Sequence, residues 1–100
     1  MPKAYFIAQI DVQDPKKFEQ YRAGVPATIE QYGGRYVVRG GASEVMEGEW
    51  PDRRTVILEF PSVEQAKAWH GSPEYAPLLR LRQSASQGSA LLVEGFEPPV

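Results

Sequence analysis

Four polar side chains with the chemistry of a binding or catalytic site stand among apolar residues of predicted strands. The period-two alternation of a strand places them on one face of the sheet: Gln9, Arg39, Glu59 and Glu94. A buried charge is costly unless it is paired, so we expect Arg39 to contact Glu59, Glu94 or a bound anion. Either the set is a structural ion pair, or Arg39 holds a carboxylate or enolate oxygen while Glu59, with a raised pKa, accepts a proton.

His70 is the single histidine and, with Glu59, one of two candidates for catalysis. It ends a short predicted helix, where a protonated ring would meet the negative pole of the helix dipole, and this explains the residue without a function. The chain has no second histidine and no cysteine to complete a metal or haem site. The sequence therefore predicts no metal site.

Aromatic residues on the predicted helices could line a pocket between helices and sheet. Tyr21, Trp69 and Tyr75 recur at helical spacing, which core packing explains equally well. The candidate ligand-binding residues are Gln9, Arg39, Glu59, Trp69, His70 and Glu94.

The glycine and serine patterns exclude two common chemistries. The doublets Gly33-Gly34 and Gly40-Gly41 lack the spacing of a dinucleotide or phosphate loop, and no G-x-S-x-G elbow occurs. Neither nucleotide binding nor a serine hydrolase triad is supported, and we expect no cofactor.

Composition sets the broad class of the protein. One hundred residues with 42% hydrophobic content fit one core. Eleven basic and thirteen acidic residues give a net charge of -2, without the basic excess of a nucleic-acid binder. No signal peptide or membrane-spanning run is visible and cysteine is absent, so we expect a cytoplasmic protein that binds neither membrane nor nucleic acid.

Hydrophobic periodicity and capping residues predict the elements that must position these side chains. Asp14-Pro15 begins a long helix that ends at Gly33-Gly34, and Ser62 and Ser72 begin two shorter helices. The predicted strands cover residues 4–12, 35–39 resuming at 43–47, 55–60 and 89–96.

This order predicts a ferredoxin-like α+β fold, with a four-stranded antiparallel sheet and all helices on one side. The helix-free face would expose an apolar set that needs a cover: Tyr5, Ile7, Val37, Ile57 and Leu92. The economical cover is a second copy, which predicts a homodimeric α+β barrel. We expect one domain over residues 1–96 and a loose tail over 97–100.

Several short motifs occur in an order that resembles a known family. They are Arg39-Gly40-Gly41, Gly48-Glu49-Trp50-Pro51, Glu59-Phe60-Pro61-Ser62, Ala68-Trp69, Ser72-Pro73-Glu74-Tyr75 and Leu81-Arg82. The set resembles domain of unknown function 1330, in the dimeric α+β barrel superfamily. The resemblance implies a ferredoxin-like subunit and a homodimer but no activity, although the superfamily includes cofactor-free monooxygenases, isomerases and haem enzymes. His70 departs from the family, which more usually has an aromatic residue there.

Two classes of function follow from these observations. The first is a protein that binds or transforms a small carboxylate or aromatic molecule without a cofactor. The second is a non-enzymatic module whose polar sheet residues only specify the dimer. The discriminating observation is whether Arg39 is paired with carboxylates or directs a free guanidinium edge into a cavity.

Overall fold

The computed structural model describes residues 2–99 and contains four strands and three helices. In chain order they are β1 (Ala4–Val12), α1 (Pro15–Gln31), β2 (Arg35–Arg39), β3 (Arg54–Phe60), α2 (Val63–His70), α3 (Ala76–Ala85) and β4 (Ser86–Glu94). The strands form one antiparallel sheet in the order β2-β3-β1-β4. This is the predicted ferredoxin-like α+β fold.

Side-chain hydrogen bonds begin the first two helices at the predicted residues. The Asp14 carboxylate accepts from the Lys17 N–H at the start of α1, and the Ser62 hydroxyl accepts from the Gln65 N–H at the start of α2. The predicted start of the third helix at Ser72 is wrong: the Ser72 hydroxyl accepts from the Tyr75 N–H, but α3 begins at Ala76 without a side-chain cap.

The core lies between the helices and one face of the sheet. Residues alternate along β1, so that Phe6 and Ile10 are buried beneath the helices while Ile7 faces away from them. Trp69 and Tyr75 fill the centre, with ring centroids 4.1 Å apart. We call the other, helix-free side of the sheet the open face.

The predicted extents of two strands are also wrong. Residues 43–47 form no strand and belong to a loop over residues 40–53 without helix or strand. β4 begins at Ser86, directly after α3, because the Ala85 carbonyl accepts from the Gln13 and Asp14 N–H groups and holds the chain beside β1. It ends at Glu94, so residues 95 and 96 are not part of the strand. Residues 97–99 of the predicted tail have no regular structure, and Val100 lies outside the described residues.

A β-bulge in β2 decides which side chains share a face. Tyr36 pairs with Leu58, but Val38 pairs with Ile57, so one additional residue is inserted between them. Arg39 consequently pairs with Val56 on the helix-covered face. A strict alternation through Val37, without this insertion, predicts Arg39 on the open face, and this prediction is wrong.

The prediction of which β4 side chains lie on the open face is also wrong. Leu92 pairs with Phe6 and Glu94 pairs with Ala4, which puts both on the helix-covered face. The open face receives Leu91 and Val93 instead. The apolar run from residue 90 to 93 contains no polar residue to mark an alternation, so the sequence does not show which of these residues face the helices.

Candidate functional site

A small cavity lies between the helices and the covered face of the sheet. Its volume is about 30 Å³, close to the share of one water molecule in the liquid. All strands except β4, and all three helices, contribute to its wall. Because four of the lining residues are arginines, we call it the arginine cavity: Arg22, Arg39, Arg54 and Arg82.

The apolar part of the wall is aromatic and aliphatic. Phe6, Phe18 and Trp69 line it together with aliphatic residues of β1, β3 and α1. Within residues 2–99 no aspartate, glutamate or histidine belongs to the lining. The site therefore concentrates positive charge in an apolar setting that contains no anion.

The arginines have few partners of opposite charge. Arg22 pairs with Glu19 at 2.8 Å on the surface of α1. The other three form no ion pair within 4.0 Å in the described part of the chain. Arg39 lies over the Tyr36 ring at 4.5 Å from the centroid, and Arg54 lies 5.9 Å from that of Phe18.

Three of the guanidinium groups have a buried Nε atom with no hydrogen-bond partner among residues 2–99. They belong to Arg22, Arg54 and Arg82. Arg82 is the most buried of the four, with 8% of its surface exposed. A buried unsatisfied donor costs about 1–3 kcal/mol, and more when it is charged. A water molecule or an anion that accepts from these atoms would remove the cost.

Mutual repulsion adds to the burial cost at Arg54. Burial, followed by the charges of Arg22 and Arg39, lowers the pKa of Arg54. Arginine nevertheless keeps its charge in proteins. An anion in the cavity would relieve both the desolvation and the repulsion.

Phenol groups beside the arginines remain neutral. The Tyr21 and Tyr75 hydroxyls are 3.0 Å apart, and burial together with Tyr75 raises the pKa of Tyr21 far above its ordinary range. Burial also raises the pKa of Tyr36. Tyr21 and Tyr36 therefore line the cavity as phenols rather than phenolates, and the Tyr21 hydroxyl is free to donate only when Tyr75 donates to it.

Trp69, a candidate from the sequence, lies in the wall of the arginine cavity. It is fully buried, and its indole N–H donates to the Thr28 hydroxyl at 3.1 Å. Because that donor is occupied, Trp69 offers the cavity its ring surface and no free N–H.

Glu59 and Gln9 lie on the open face, on the opposite side of the sheet from Arg39 and Glu94. The Glu59 carboxylate accepts from the Tyr5 hydroxyl at 3.2 Å and the Arg35 Nε at 3.1 Å, with Lys3 Nζ at 3.4 Å. These contacts, that of Arg35 foremost, lower the pKa of Glu59. The expected Arg39–Glu59 contact and the raised pKa are therefore both wrong.

His70 is exposed at the end of α2 and does not line the arginine cavity. Its ring lies 5.7 Å from that of Phe6 between centroids. Burial, followed by the charge of Arg82, lowers the pKa of His70. With its pKa lowered from an ordinary value of 6.5, the imidazole is mainly neutral at pH 7.

The sequence prediction missed three arginines that a helical or strand period could have revealed. Arg22 follows Phe18 by four positions and Arg82 follows Leu78 by four, each on the apolar stripe of its helix. Arg54 precedes Val56 and Leu58 at strand spacing. A cation on an apolar stripe is the signal that all three share.

Neither a cluster of metal ligands nor a membrane-spanning helix is found among residues 2–99. No group of three or more histidine, cysteine, aspartate or glutamate residues there could hold a metal ion. No helix in the same range is long and apolar enough to cross a membrane.

Comparison with solved structures identifies the same fold in other organisms. A Rhodopseudomonas palustris protein of unknown function is 17% identical and superposes with a TM-score of 0.78, covering 97% of this chain and 85% of its own. SnoaB, a cofactor-independent oxygenase from Streptomyces nogalater, is 15% identical with a TM-score of 0.69, covering 98% and 97%.

A third similar structure is a dimeric protein of unknown function with a ferredoxin-like fold from Bacteroides fragilis. It is 13% identical with a TM-score of 0.56, covering 92% of this chain and 95% of its own. At these identities the likeness concerns the fold alone. No curated protein matches the chain.

The family that the sequence motifs resemble is confirmed by a match along almost the whole chain. The family model for domain of unknown function DUF1330 matches residues 3–96, which include the arginine cavity and the open face. The chain belongs to the DUF1330 family.

Proposed function

We propose that this protein binds a small organic anion whose charged oxygen enters the arginine cavity. The observation that carries the proposal is Arg82, a buried guanidinium with an unpartnered Nε in a cavity without an acid. Arg39 and Arg54 supply two further positive charges without ion pairs in the described chain. A carboxylate is the best match for guanidinium groups, since each oxygen accepts several donors.

The cavity volume limits what enters. About 30 Å³ accommodates one oxygen-bearing group and no aromatic ring or chain. The neutral hydroxyl of Tyr36 can donate to a ligand oxygen in the cavity, and that of Tyr21 can do so when Tyr75 is the donor of the Tyr21–Tyr75 hydrogen bond. The ligand is thus held by its anionic head, and its remaining atoms lie outside.

The same donors stabilise an oxyanion that develops during a reaction, because an enolate or phenolate oxygen presents the same charge to the same groups. The fold shared with SnoaB, a cofactor-independent oxygenase, is the reason to include enols and phenols among the trial ligands. Catalysis on such a ligand is the part of the proposal that the fold alone cannot supply.

The test is a binding titration with acetate, benzoate, a phenol and a 1,3-diketone, followed by NMR of the Trp69 indole and the arginine Nε–H groups. We expect at least one ligand to bind at a single site. Arg54→Gln and Arg82→Gln should each weaken it about 10- to 100-fold, the range for a charged hydrogen bond.

The matched control is Arg80→Gln, an exposed arginine two residues from Arg82 in α3. It should leave the affinity unchanged. Absence of binding by every ligand in the panel, or equal weakening by the control and the two cavity variants, would overturn the proposal.

We also propose that the protein is a homodimer through the open face. No helix covers Ile7, Ile57, Leu91 or Val93 there, and Leu91 is 59% exposed. The loop over residues 40–53 adds exposed Met46 and Trp50 next to the same face. A similar fold is described as dimeric in the Bacteroides fragilis protein.

The dimer is tested by Ile57→Lys with light scattering across a dilution series. An unpaired charge in the seam should weaken the dimer at least 100-fold, since a buried unpaired ion costs several kcal/mol. Glu64→Lys, on the exposed side of α2, is the control and should leave the dimer intact. A dimeric Ile57→Lys would show that the open face is not the interface.

One observation favours a second candidate function, dimer formation alone. Glu59 is fully paired by Tyr5, Arg35 and Lys3 on the open face, as expected of a residue that only fixes geometry. If dimer formation is the whole function, the arginine variants should change neither ligand binding nor any activity, and Ile57→Lys alone should have an effect, the loss of the dimer.

A further inference from the structure

A groove lies between β4 and the helices α2 and α3, next to the arginine cavity. Its polar part has a volume of about 430 Å³ and is lined by His70, Arg82, Gln83, Ser86, Gln87 and Gly88, with Ala90 beyond them. This is within the range of about 300–1,000 Å³ that small-molecule pockets occupy. We call it the β4 groove.

An apolar extension continues the β4 groove along the sheet. It has a volume of about 310 Å³ and is lined by Phe6, Ala66, Lys67, His70, Gly71, Ala90 and Leu92. His70 and Ala90 belong to both parts, so the two form one continuous surface. The groove therefore has a polar end and an apolar end.

Two residues line both the β4 groove and the arginine cavity, so the two spaces adjoin there. Arg82 lines the cavity and the polar part of the groove, and Phe6 lines the cavity and the apolar part. Arg82 is accordingly accessible from the groove side while it belongs to the charged cluster inside.

Small residues of β4 keep the groove open. Gly88 and Ala90 pair with Ile10 and Ala8, and therefore face the helical side of the sheet. A Cβ atom at Gly88 would overlap the backbone oxygen of Gln9, so that position cannot carry a side chain without displacing β1. Gly88 thus permits the close approach of β4 to β1, and the small side chain of Ala90 leaves the groove open.

The charges of the groove have one sign. Lys67 and Arg82 are its cations, and no aspartate or glutamate lines either part within residues 2–99. His70 adds a neutral imidazole, because burial and Arg82 lower the pKa of its ring. The imidazole can accept one hydrogen bond and donate another.

We propose that the β4 groove holds the body of a monocarboxylic acid whose carboxylate reaches Arg82 and whose aryl or alkyl portion lies over Ala90, Leu92 and Phe6. The inference rests on the proposed function, because the arginine cavity admits only the anionic head. The ligand is then an amphiphilic acid that is too long for the cavity. Its charged and apolar ends match the cationic and apolar ends of the groove.

The experiment compares 4-phenylbutyrate, acetate and 4-phenylbutanol by NMR titration of the full chain. Acetate presents the head alone, and phenylbutanol presents the body without charge. We expect phenylbutyrate to bind at least 10-fold more tightly than either and to shift His70 and Gly88. Acetate should shift the resonances of Arg82 and leave those of Gly88 unchanged.

Ala90→Phe fills the groove from an exposed strand position and should weaken phenylbutyrate at least 10-fold without changing acetate. Ala68→Phe, on the exposed side of α2, is the matched control and should change neither ligand. Gln83→Trp occupies the polar part from α3 and provides a second variant if Ala90→Phe does not fold.

The outcomes separate the two proposals. Acetate binding that Arg82→Gln removes, with phenylbutyrate indifferent to both groove variants, overturns the β4 groove and leaves the proposed function standing. Failure of acetate and phenylbutyrate alike to bind overturns both.

Discussion

The two faces of the sheet each carry a charged cluster, and the clusters differ in how their charges are balanced. On the open face the Glu59 carboxylate receives three donors, from Tyr5, Arg35 and Lys3. On the covered face Arg54 and Arg82 have buried Nε atoms without partners among residues 2–99.

The difference separates a structural role from a functional one on physical grounds. A polar group whose partners come from its own chain is complete without a ligand, whereas a buried cation without partners raises the free energy of the empty protein. Only the second arrangement gains from an incoming anion. Substitutions in the two clusters should therefore change stability in opposite directions.

The largest effect is expected at Arg82. Arg82→Met keeps the packing of the stem and removes the buried charge, so it should raise the free energy of unfolding of the ligand-free protein by about 1–3 kcal/mol. At about 4–8 °C per kcal/mol, thermal unfolding will show this clearly. Arg80→Met should change stability by less than about 0.5 kcal/mol. A lower Tm for Arg82→Met would mean that its guanidinium is satisfied, and the comparison would fail.

Gly40 offers a smaller and more local test, because it sets the position of Arg54. Its φ is +69°, and a Cβ would lie 2.6 Å from the Arg54 Nε atom. Gly40→Ala should destabilise the protein by about 1–2 kcal/mol and also weaken anion binding, since Arg54 must move.

Gly41→Ala is the matched control for this change. The neighbouring position has no positive φ, and a Cβ there meets nothing within 4 Å. It should leave stability within about 0.5 kcal/mol and binding unchanged. Equal effects of the two substitutions would show that loop stiffness, and not the placement of Arg54, matters.

The smallest effect is expected at Glu59. Because its folded pKa is lowered from 4.5, its contribution is present above that value and is lost as pH falls through the folded pKa. Glu59→Gln should cost less than about 1 kcal/mol at pH 7, as exposed ion pairs do. The free energy of unfolding, measured by chemical denaturation at several pH values, should decrease less steeply with falling pH in the variant than in the wild type.

Glu44→Gln in the exposed loop supplies the baseline for the loss of one carboxylate. If the free energy of unfolding decreased with falling pH as steeply in Glu59→Gln as in the wild type, the Glu59 contacts would not be a source of pH-dependent stability.

The sequence predicts the fold well because its local signals agree. The caps at Asp14 and Ser62, the glycine end of α1 and the alternation of β1 and β3 all recur in the structure. Periodicity also places Trp69 in the core, where it lines the cavity. Each of these signals acts over a few residues and needs no knowledge of a distant partner.

The charged site could not be predicted in the same way. The face of Arg39 depends on the bulge between Tyr36 and Val38, which pairing with β3 imposes and alternation alone does not reveal. The predicted pairing of Arg39 with Glu59 is wrong for the same reason, whereas Glu94 shares the face of Arg39 but lies in β4, at the opposite edge of the sheet from β2. The helical period could have placed Arg82 on the apolar stripe of α3, but its Nε without a partner is a property of the packed core, which forms only when helices and strands meet.

The bulge in β2 also has a consequence for the divergence of the family. Deleting or adding one residue there would transfer Arg39 from the helix-covered face of the sheet to the open face. A single codon gained or lost could thus exchange ligand recognition for subunit recognition without changing any amino acid's identity. Relatives aligned without regard to this position would have their arginines assigned to the wrong side of the sheet.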